Sequence, residues 1–194
     1  MVADASLTER TALKEWSVLV DAMARGEIIA MVRKGGIREQ RAGFTVRHDR
    51  FLLYPTYFHE QAPEVAPRFV DMLDGSHARR PAAGTIRLEY AAEVVGVWAV
   101  SELEPLLAIA DMHGLAWSAV SSRFRYKDRP GVQVVAVRVM TLPAPVVRPE
   151  ARRYQGCVSW VELDEGVDLT GAAPVLDDAS LLMRMSVLKN ALGA

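Results

Sequence analysis

The stretch MVRKGGIRE, residues 31–39, joins an apolar segment to a pair of glycines surrounded by charged side chains. The apolar run that leads into it, residues 27–33, is too short for a helix and predicts a mostly buried strand. Gly35 and Gly36 end this strand, because residues without a Cβ atom readily adopt the positive φ of a tight turn. The segment FLLYPTYFH, residues 51–59, answers it further along the chain, and residues 50–54 are predicted to form a second short strand that Pro55 ends. Between these segments, residues 44–48 alternate apolar and polar side chains with the period of a half-buried strand, so a small antiparallel meander is predicted here.

A helix is predicted before this meander. Ser6 and Glu9 have the spacing of a capping box, and Gly26 is placed to end the helix after residue 25. Apolar residues recur at helical intervals on one face, at Leu13, Trp16, Val20 and Met23. Residues 6–25 are therefore expected to pack one face of a helix against the core.

Further strands are predicted downstream. Residues 85–100 alternate and then become densely apolar, which predicts a long strand or two strands with a bulge at Gly96. Residues 132–142 are rich in valine and form the clearest strand of the sequence, and residues 156–163 form another.

Helices and a loop separate these strands. Residues 65–73 and 106–113 have helical patterns, with Gly114 ending the second, whereas the composition of residues 75–81 predicts a loop. The last helix is predicted over residues 178–192. Its cap and its apolar stripe are Asp177 or Asp178, followed by Leu181, Leu182, Met185, Leu188 and Leu192.

These elements predict an α+β fold with one domain over residues 1–194. The strands and helices do not alternate as regular βαβ units, so a doubly wound α/β fold is not expected. The predicted architecture is a mainly antiparallel twisted sheet or a partly closed barrel, with flanking N- and C-terminal helices. A chain of 194 residues, half of them apolar, is long enough to bury a substantial core.

The overall charge excludes any argument from general basicity, because the net charge is -1. Positive charge is nevertheless concentrated locally, in residues 33–50 and again in residues 123–153. One cysteine, Cys157, excludes an internal disulfide. The polar N-terminus and the lack of a long apolar run predict a cytoplasmic protein with no membrane span.

Four blocks of the sequence resemble an uncharacterised prokaryotic family known as domain of unknown function 1802. The blocks are LKEW at residues 13–16, RKGGIRE at 33–39, FLLYPT at 51–56 with His59, and YQGCVSWV at 154–161. They span about residues 12–163, so the last helix lies outside them. The resemblance implies that the charged turn and the His59 loop belong to one recurrent design, and it implies no activity, substrate or cofactor.

The charged turn has the composition of an anion site. The glycines would let backbone N–H groups approach a phosphate, while Arg33 and Lys34 supply positive charge. The segment matches neither a Walker P-loop nor a Rossmann glycine fingerprint. The structural alternative is a hairpin turn with solvated flanking cations.

A second segment mixes aromatic and cationic side chains. Trp117, Phe124 and Tyr126 are interleaved with Arg123, Arg125, Lys127 and Arg129. This mixture would let aromatic faces stack on nucleic-acid bases while cations contact phosphates. The favoured interpretation is a strand from which Phe124 and Tyr126 point into the core.

Glu39 and His59 are the candidate catalytic residues. A carboxylate beside an imidazole can orient it and form an acid/base pair. The competing interpretation pairs Glu39 with a nearby arginine and makes His59 an ordinary loop residue. No metal site is predicted because the four histidines are scattered, and Cys157 is expected to be a buried apolar residue.

Three functions remain open. The leading hypothesis is an anion-binding domain that recognises nucleic acid or a phosphorylated ligand. Its predicted ligand-binding residues are Arg33, Lys34, Gly35, Gly36, Arg47, Trp117 and Arg129. One alternative is a phosphodiester or phosphate-ester hydrolase that uses Glu39 and His59. The other is a protein-interaction module, for example a homo-oligomer, that associates through the C-terminal helix.

Overall fold

A computed structural model describes residues 7–34, 45–58 and 60–193, and its frame is one large sheet. The strands are β1 (Thr8–Trp16), β2 (Ala30–Arg33), β3 (Arg50–Thr56), β4 (Thr85–Val100), β5 (Val132–Pro149), β6 (Trp160–Asp168) and β7 (Ala173–Pro174). Their order is β2-β5-β4-β3-β1-β6, with β7 paired to β5. The sheet is twisted and not closed, so the open-sheet form of the predicted α+β fold is confirmed.

One pair of strands in this sheet is parallel. β1 runs parallel to β3, whereas the other paired strands are antiparallel. The register places Lys14 opposite Tyr54 and Trp16 opposite Thr56. Because parallel strands end at the same edge of a sheet, the last residues of β1 and β3 lie side by side.

The prediction of a helix over residues 6–25 is wrong for the first half of that range. Residues 8–16 form β1 in the interior of the sheet, and the helix α1 (Ser17–Ala24) begins only after it. Ala12 and Leu13 are consecutive and both fully buried, which is typical of a strand covered on both faces. Pairing with β3 and β6 therefore overrides the local helix-start signal.

The predicted meander is also wrong. β2 pairs with β5 at one edge of the sheet, whereas β3 lies between β4 and β1. Residues 45–48 are not in a strand, and Phe44 lies outside the described residues. The two short strands are therefore neighbours in sequence but not in the sheet.

The long strands agree better with the predictions. β4 spans the predicted residues 85–100, and its pairing with β5 shifts register between Val94 and Gly96, which confirms the bulge. β5 continues beyond the predicted end at residue 142 to Pro149. β6 begins at Trp160, four residues later than predicted.

The other helices are α2 (Met72–Ala78), α3 (Glu104–Ala108), α4 (Ala110–His113), α5 (Trp117–Arg125) and α6 (Asp178–Leu192). The loop predicted over residues 75–81 is partly wrong, because residues 75–78 form the second half of α2. Asp177 caps α6 as predicted, accepting a hydrogen bond from the Ser180 amide at 2.7 Å. None of the described helices is long and apolar enough to span a bilayer.

Two apolar clusters cover the two faces of the sheet. Leu13 and Leu53 belong to the larger cluster, which also contains residues of α1, α5 and α6. Ala12 and Leu52, one residue earlier on the same strands, belong to the smaller cluster. This alternation follows the two-residue period of a strand.

His113 is a buried titratable group at the end of α4. It is 2% exposed, and its Nδ1 accepts a hydrogen bond from the Leu115 amide at 3.1 Å. Burial lowers the pKa of His113 to about 4. The imidazole is therefore neutral in the folded protein at pH values where it is already protonated in the unfolded chain.

We expect this histidine to make folding stability depend on pH between about 4 and 6.5. The unfolded chain binds the additional proton there, so stability falls as the pH falls, by about 2 kcal/mol between pH 7 and pH 5. Urea unfolding at both pH values should show this loss in the native protein and not in His113→Asn, which keeps an acceptor for the Leu115 amide. Equal losses in the two proteins would contradict the assignment.

Candidate functional site

A cleft of about 740 Å³ opens at the edge of the sheet where β1 and β3 end. Its wall includes residues 14–16 of β1, 54–56 of β3, the end of β2, the start of β4 and residues 155–159. The volume lies in the range of pockets that hold small-molecule ligands. The parallel register of β1 and β3 creates the site, because it aligns their last residues at one rim.

Cationic side chains outnumber carboxylates around this cleft. The cations are Lys14, Arg33, Lys34, Arg80, Arg87 and Arg123, and the carboxylates are Glu15 and Glu150. Arg87 is paired with Glu89 at 2.9 Å, beyond the lining. The remaining excess of positive charge in a concave site attracts anions.

Glu15 organises part of the cleft as a buried carboxylate. Its Oε2 lies 3.0 Å from Nη1 of Arg33, and its Oε1 accepts a hydrogen bond from the Trp16 amide at 3.0 Å. Arg33 also donates to the backbone carbonyl of Lys14 at 3.0 Å. Arg33 is thus held in an ion pair, and its geometry is set by β1.

Arg123, on α5, brings a second guanidinium to the same place. It donates to the Val32 carbonyl at 2.9 Å, and its guanidinium lies 4.8 Å from the centre of the Trp16 ring. Burial lowers its pKa, the charge of Glu15 opposes this shift, and the charge of Arg33 adds to it. The Glu15 carboxylate therefore acts on both guanidinium groups, and the charge of Glu64 also raises the pKa of Arg123.

Lys34 joins the two basic segments of the sequence. Its ammonium donates to the backbone carbonyls of Phe124, Arg129 and Gly131, the first at 3.1 Å. Burial lowers the pKa of Lys34, and the charge of Arg129 lowers it further. Since three carbonyls match the three protons of an ammonium, Lys34 contributes charge to the cleft rather than a direct hydrogen bond.

Tyr54, Glu150 and Gln155 form a hydrogen-bonded polar wall of the cleft. The Tyr54 hydroxyl donates to Glu150, whose second oxygen accepts from Gln155 Nε2 at 3.3 Å. Burial raises the pKa of Tyr54, so the phenol keeps its proton. Lys14 Nζ lies beside this pair, 5.4 Å from the centre of the Tyr54 ring.

Aromatic side chains complete the lining. The Arg80 guanidinium lies 4.7 Å from the centre of the Phe58 ring and 5.6 Å from that of Tyr57. Phe58 is 66% exposed and Tyr126 is 43% exposed, although both line the cleft. Exposed aromatic faces beside cations can contact a planar group on an anionic ligand.

The predicted site residues fall into three groups. Arg33 and Lys34 line the cleft. Gly35, Gly36, Glu39 and His59 lie outside the described residues. Arg47, Trp117 and Arg129 are exposed and do not line the cleft, although the Arg129 carbonyl accepts a hydrogen bond from Lys34.

Two structural predictions about neighbouring residues are wrong. Residues 117–125 form the helix α5 rather than a strand, so Phe124 points into the core while Tyr126 does not. Cys157 is exposed and lines the cleft instead of being buried. Both errors arise because periodicity in a short segment does not reveal its tertiary neighbours.

Sequence reasoning missed most of the side chains that form the cleft. Lys14, Glu15, Tyr54 and Glu150 were not singled out, and Arg123 was only one member of a basic run. A signal was available, because all four family-like blocks contribute to the lining. They do so through residues 14–16, 33–34, 54–56 and 155–159. Segments far apart in sequence therefore meet at one cleft.

The described residues contain no group of three or more His, Cys, Asp or Glu side chains placed to hold a metal ion. The acid/base pair of Glu39 and His59 stays a prediction, since neither residue is described.

Comparison with known proteins identifies a family. The sequence matches the family described as Domain of unknown function (DUF1802) over residues 12–186. No curated protein and no solved structure matches it. The match continues past residue 163 and includes the first half of α6, so this helix is not an addition outside the family pattern. Because the match covers most of the 194 residues, this chain belongs to the DUF1802 family.

Proposed function

We propose that this protein binds a phosphate-bearing ligand in the cleft between the ends of β1 and β3. The observation that carries the proposal is the excess of cations in the lining, where six cationic side chains and two carboxylates are found among the described residues. Guanidinium groups bind phosphate oxygens through directed hydrogen bonds, and a concave site strengthens their attraction.

The ligand class includes small phosphorylated molecules and nucleic acid. Both present the same phosphate chemistry, and the exposed Phe58 and Tyr126 rings are available to a planar base. A volume of about 740 Å³ favours a small molecule or a few nucleotides of a single strand over a duplex.

Arg80 and Arg47 provide a matched test of this location. Both arginines are exposed, but only Arg80 lines the cleft. We expect Arg80→Gln to weaken pyrophosphate binding roughly tenfold, as for loss of one charge-assisted hydrogen bond, and Arg47→Gln to leave it nearly unchanged. Isothermal titration calorimetry at low salt measures both constants.

The native protein and both variants should also be titrated with single-stranded and with duplex oligonucleotides, each at two salt concentrations. Tight single-strand binding that weakens with salt and with Arg80→Gln would identify nucleic acid as the ligand. Binding of pyrophosphate alone would identify a small molecule. Absence of binding in every arm, or equal effects of the two substitutions, would contradict the proposal.

A further inference from the structure

Lys14 is an amine built into the wall of the cleft. It lies on β1 directly opposite Tyr54 of β3, half-buried, and its Nζ donates to the Gly156 carbonyl at 3.1 Å. Unlike Lys34, which bonds to three carbonyls, Lys14 has this one hydrogen-bond acceptor among the described residues. Its nitrogen therefore has hydrogen-bonding capacity left for a ligand.

The surroundings of Lys14 favour a reactive amine. The strand position fixes its backbone, and the Tyr54–Glu150–Gln155 hydrogen bonds hold the adjoining wall. Removal from water lowers the pKa of Lys14, while the charges of Glu150 and Cys157 oppose the shift. Desolvation of a lysine in a cleft is a recognised way to obtain a nucleophilic amine.

We propose that Lys14 forms an imine with a phosphorylated aldehyde or ketone bound in the cleft. This inference rests on the proposed function, because the phosphate is what brings the carbonyl compound to the site. The neutral amine attacks the carbonyl carbon, and a C–N bond forms while the oxygen takes up a proton. The carbinolamine then loses water, so both amine hydrogens leave with the former carbonyl oxygen and a C=N bond remains.

The lysine content of the chain makes the imine easy to locate. The sequence has four lysines, Lys14, Lys34, Lys127 and Lys189, and the last two are exposed and outside the cleft. Pyridoxal 5′-phosphate, which carries both a phosphate and an aldehyde, is incubated with the full chain and trapped with borohydride. Peptide mass spectrometry then measures the adduct at each lysine.

We expect labelling at Lys14 to exceed that at Lys127 and Lys189 by about tenfold or more, because the cationic cleft concentrates the anionic probe. Pyridoxal, which lacks the phosphate, should lose this preference. Lys14→Arg keeps the positive charge and cannot form an imine, so it should abolish the dominant adduct.

Two results would overturn the inference in distinguishable ways. Even labelling of the four lysines together with normal pyrophosphate binding would show that Lys14 is only a cation of the site, and the proposed function would stand. Even labelling without pyrophosphate binding would remove the proposed function as well.

Discussion

Glu15→Gln should lower the free energy of unfolding by roughly 3 kcal/mol, as expected when one partner of a buried ion pair loses its charge. The Glu15 side chain is 2% exposed and that of Arg33 is 13% exposed, so water cannot replace the carboxylate efficiently. Glutamine keeps an oxygen that can accept the hydrogen bond from the Trp16 amide. The substitution therefore isolates the missing charge, which leaves Arg33 and Arg123 to repel each other.

Glu89→Gln is the matched control for this measurement. Glu89 forms an ion pair of similar length with Arg87, but both side chains are more exposed, at 28% and 37%. A pair in contact with water contributes about 0–1 kcal/mol. Urea unfolding of the native protein, Glu15→Gln and Glu89→Gln measures the two losses in the free energy of unfolding. Equal losses would show that the Glu15–Arg33 pair stabilises the fold no more than an exposed ion pair.

The same variant links stability to the proposed anion site. With Glu15 neutral, a bound anion would replace the negative charge that Arg33 and Arg123 lose. Pyrophosphate should therefore stabilise Glu15→Gln more than the native protein, whereas sodium chloride at the same ionic strength should not. Equal stabilisation of both proteins by pyrophosphate would place the anion away from Arg33 and Arg123.

The parts of the fold predicted well are those whose signals are local. The Asp177 cap of α6 depends on residues a few positions away, and so does the Gly114 end of α4, where the backbone adopts φ of 70°. The β4 bulge at Gly96 is similar, because a glycine within an alternating strand marks the irregularity. These features needed no knowledge of the rest of the molecule.

The N-terminal strand could not be predicted in this way. Leu13 and Trp16 fit a helical period with Val20 and Met23, yet the first two residues belong to β1 and the last two to α1. The strand forms because residues 50–56 and 160–168 supply partners on both sides. Such pairing is set by segments far along the chain, and no local window contains it.

In the candidate site, too, only the residues with a local sequence signal were predicted. Arg33 and Lys34 were found because a glycine pair and clustered charge are visible in one segment. Glu15 and Arg123 were missed because each is an ordinary residue in its own segment. Their importance comes from β1, β2 and α5 converging on one cleft.

Leu188→Ala should lower the free energy of unfolding by about 2–5 kcal/mol, the range for removing a fully buried leucine side chain. Leu188 is 0% exposed and belongs to the same apolar cluster as Leu13, Met31 and Val135, so α6 closes the core of the sheet. Leu182, on the same helix, is 68% exposed. Leu182→Ala should change stability by less than about 0.5 kcal/mol, because it leaves no cavity.

This pair of variants also tests the interaction-module hypothesis for the last helix. Of the predicted stripe, Leu181, Met185 and Leu188 are buried within the chain, and Leu182 is left outside together with Met183 and Val187. If that exposed face joined two copies, unfolding of the native protein would depend on its concentration, and Leu182→Ala would remove the dependence. Concentration-independent unfolding, combined with a large cost at Leu188 alone, would make α6 a core helix and leave the cleft as the site to pursue.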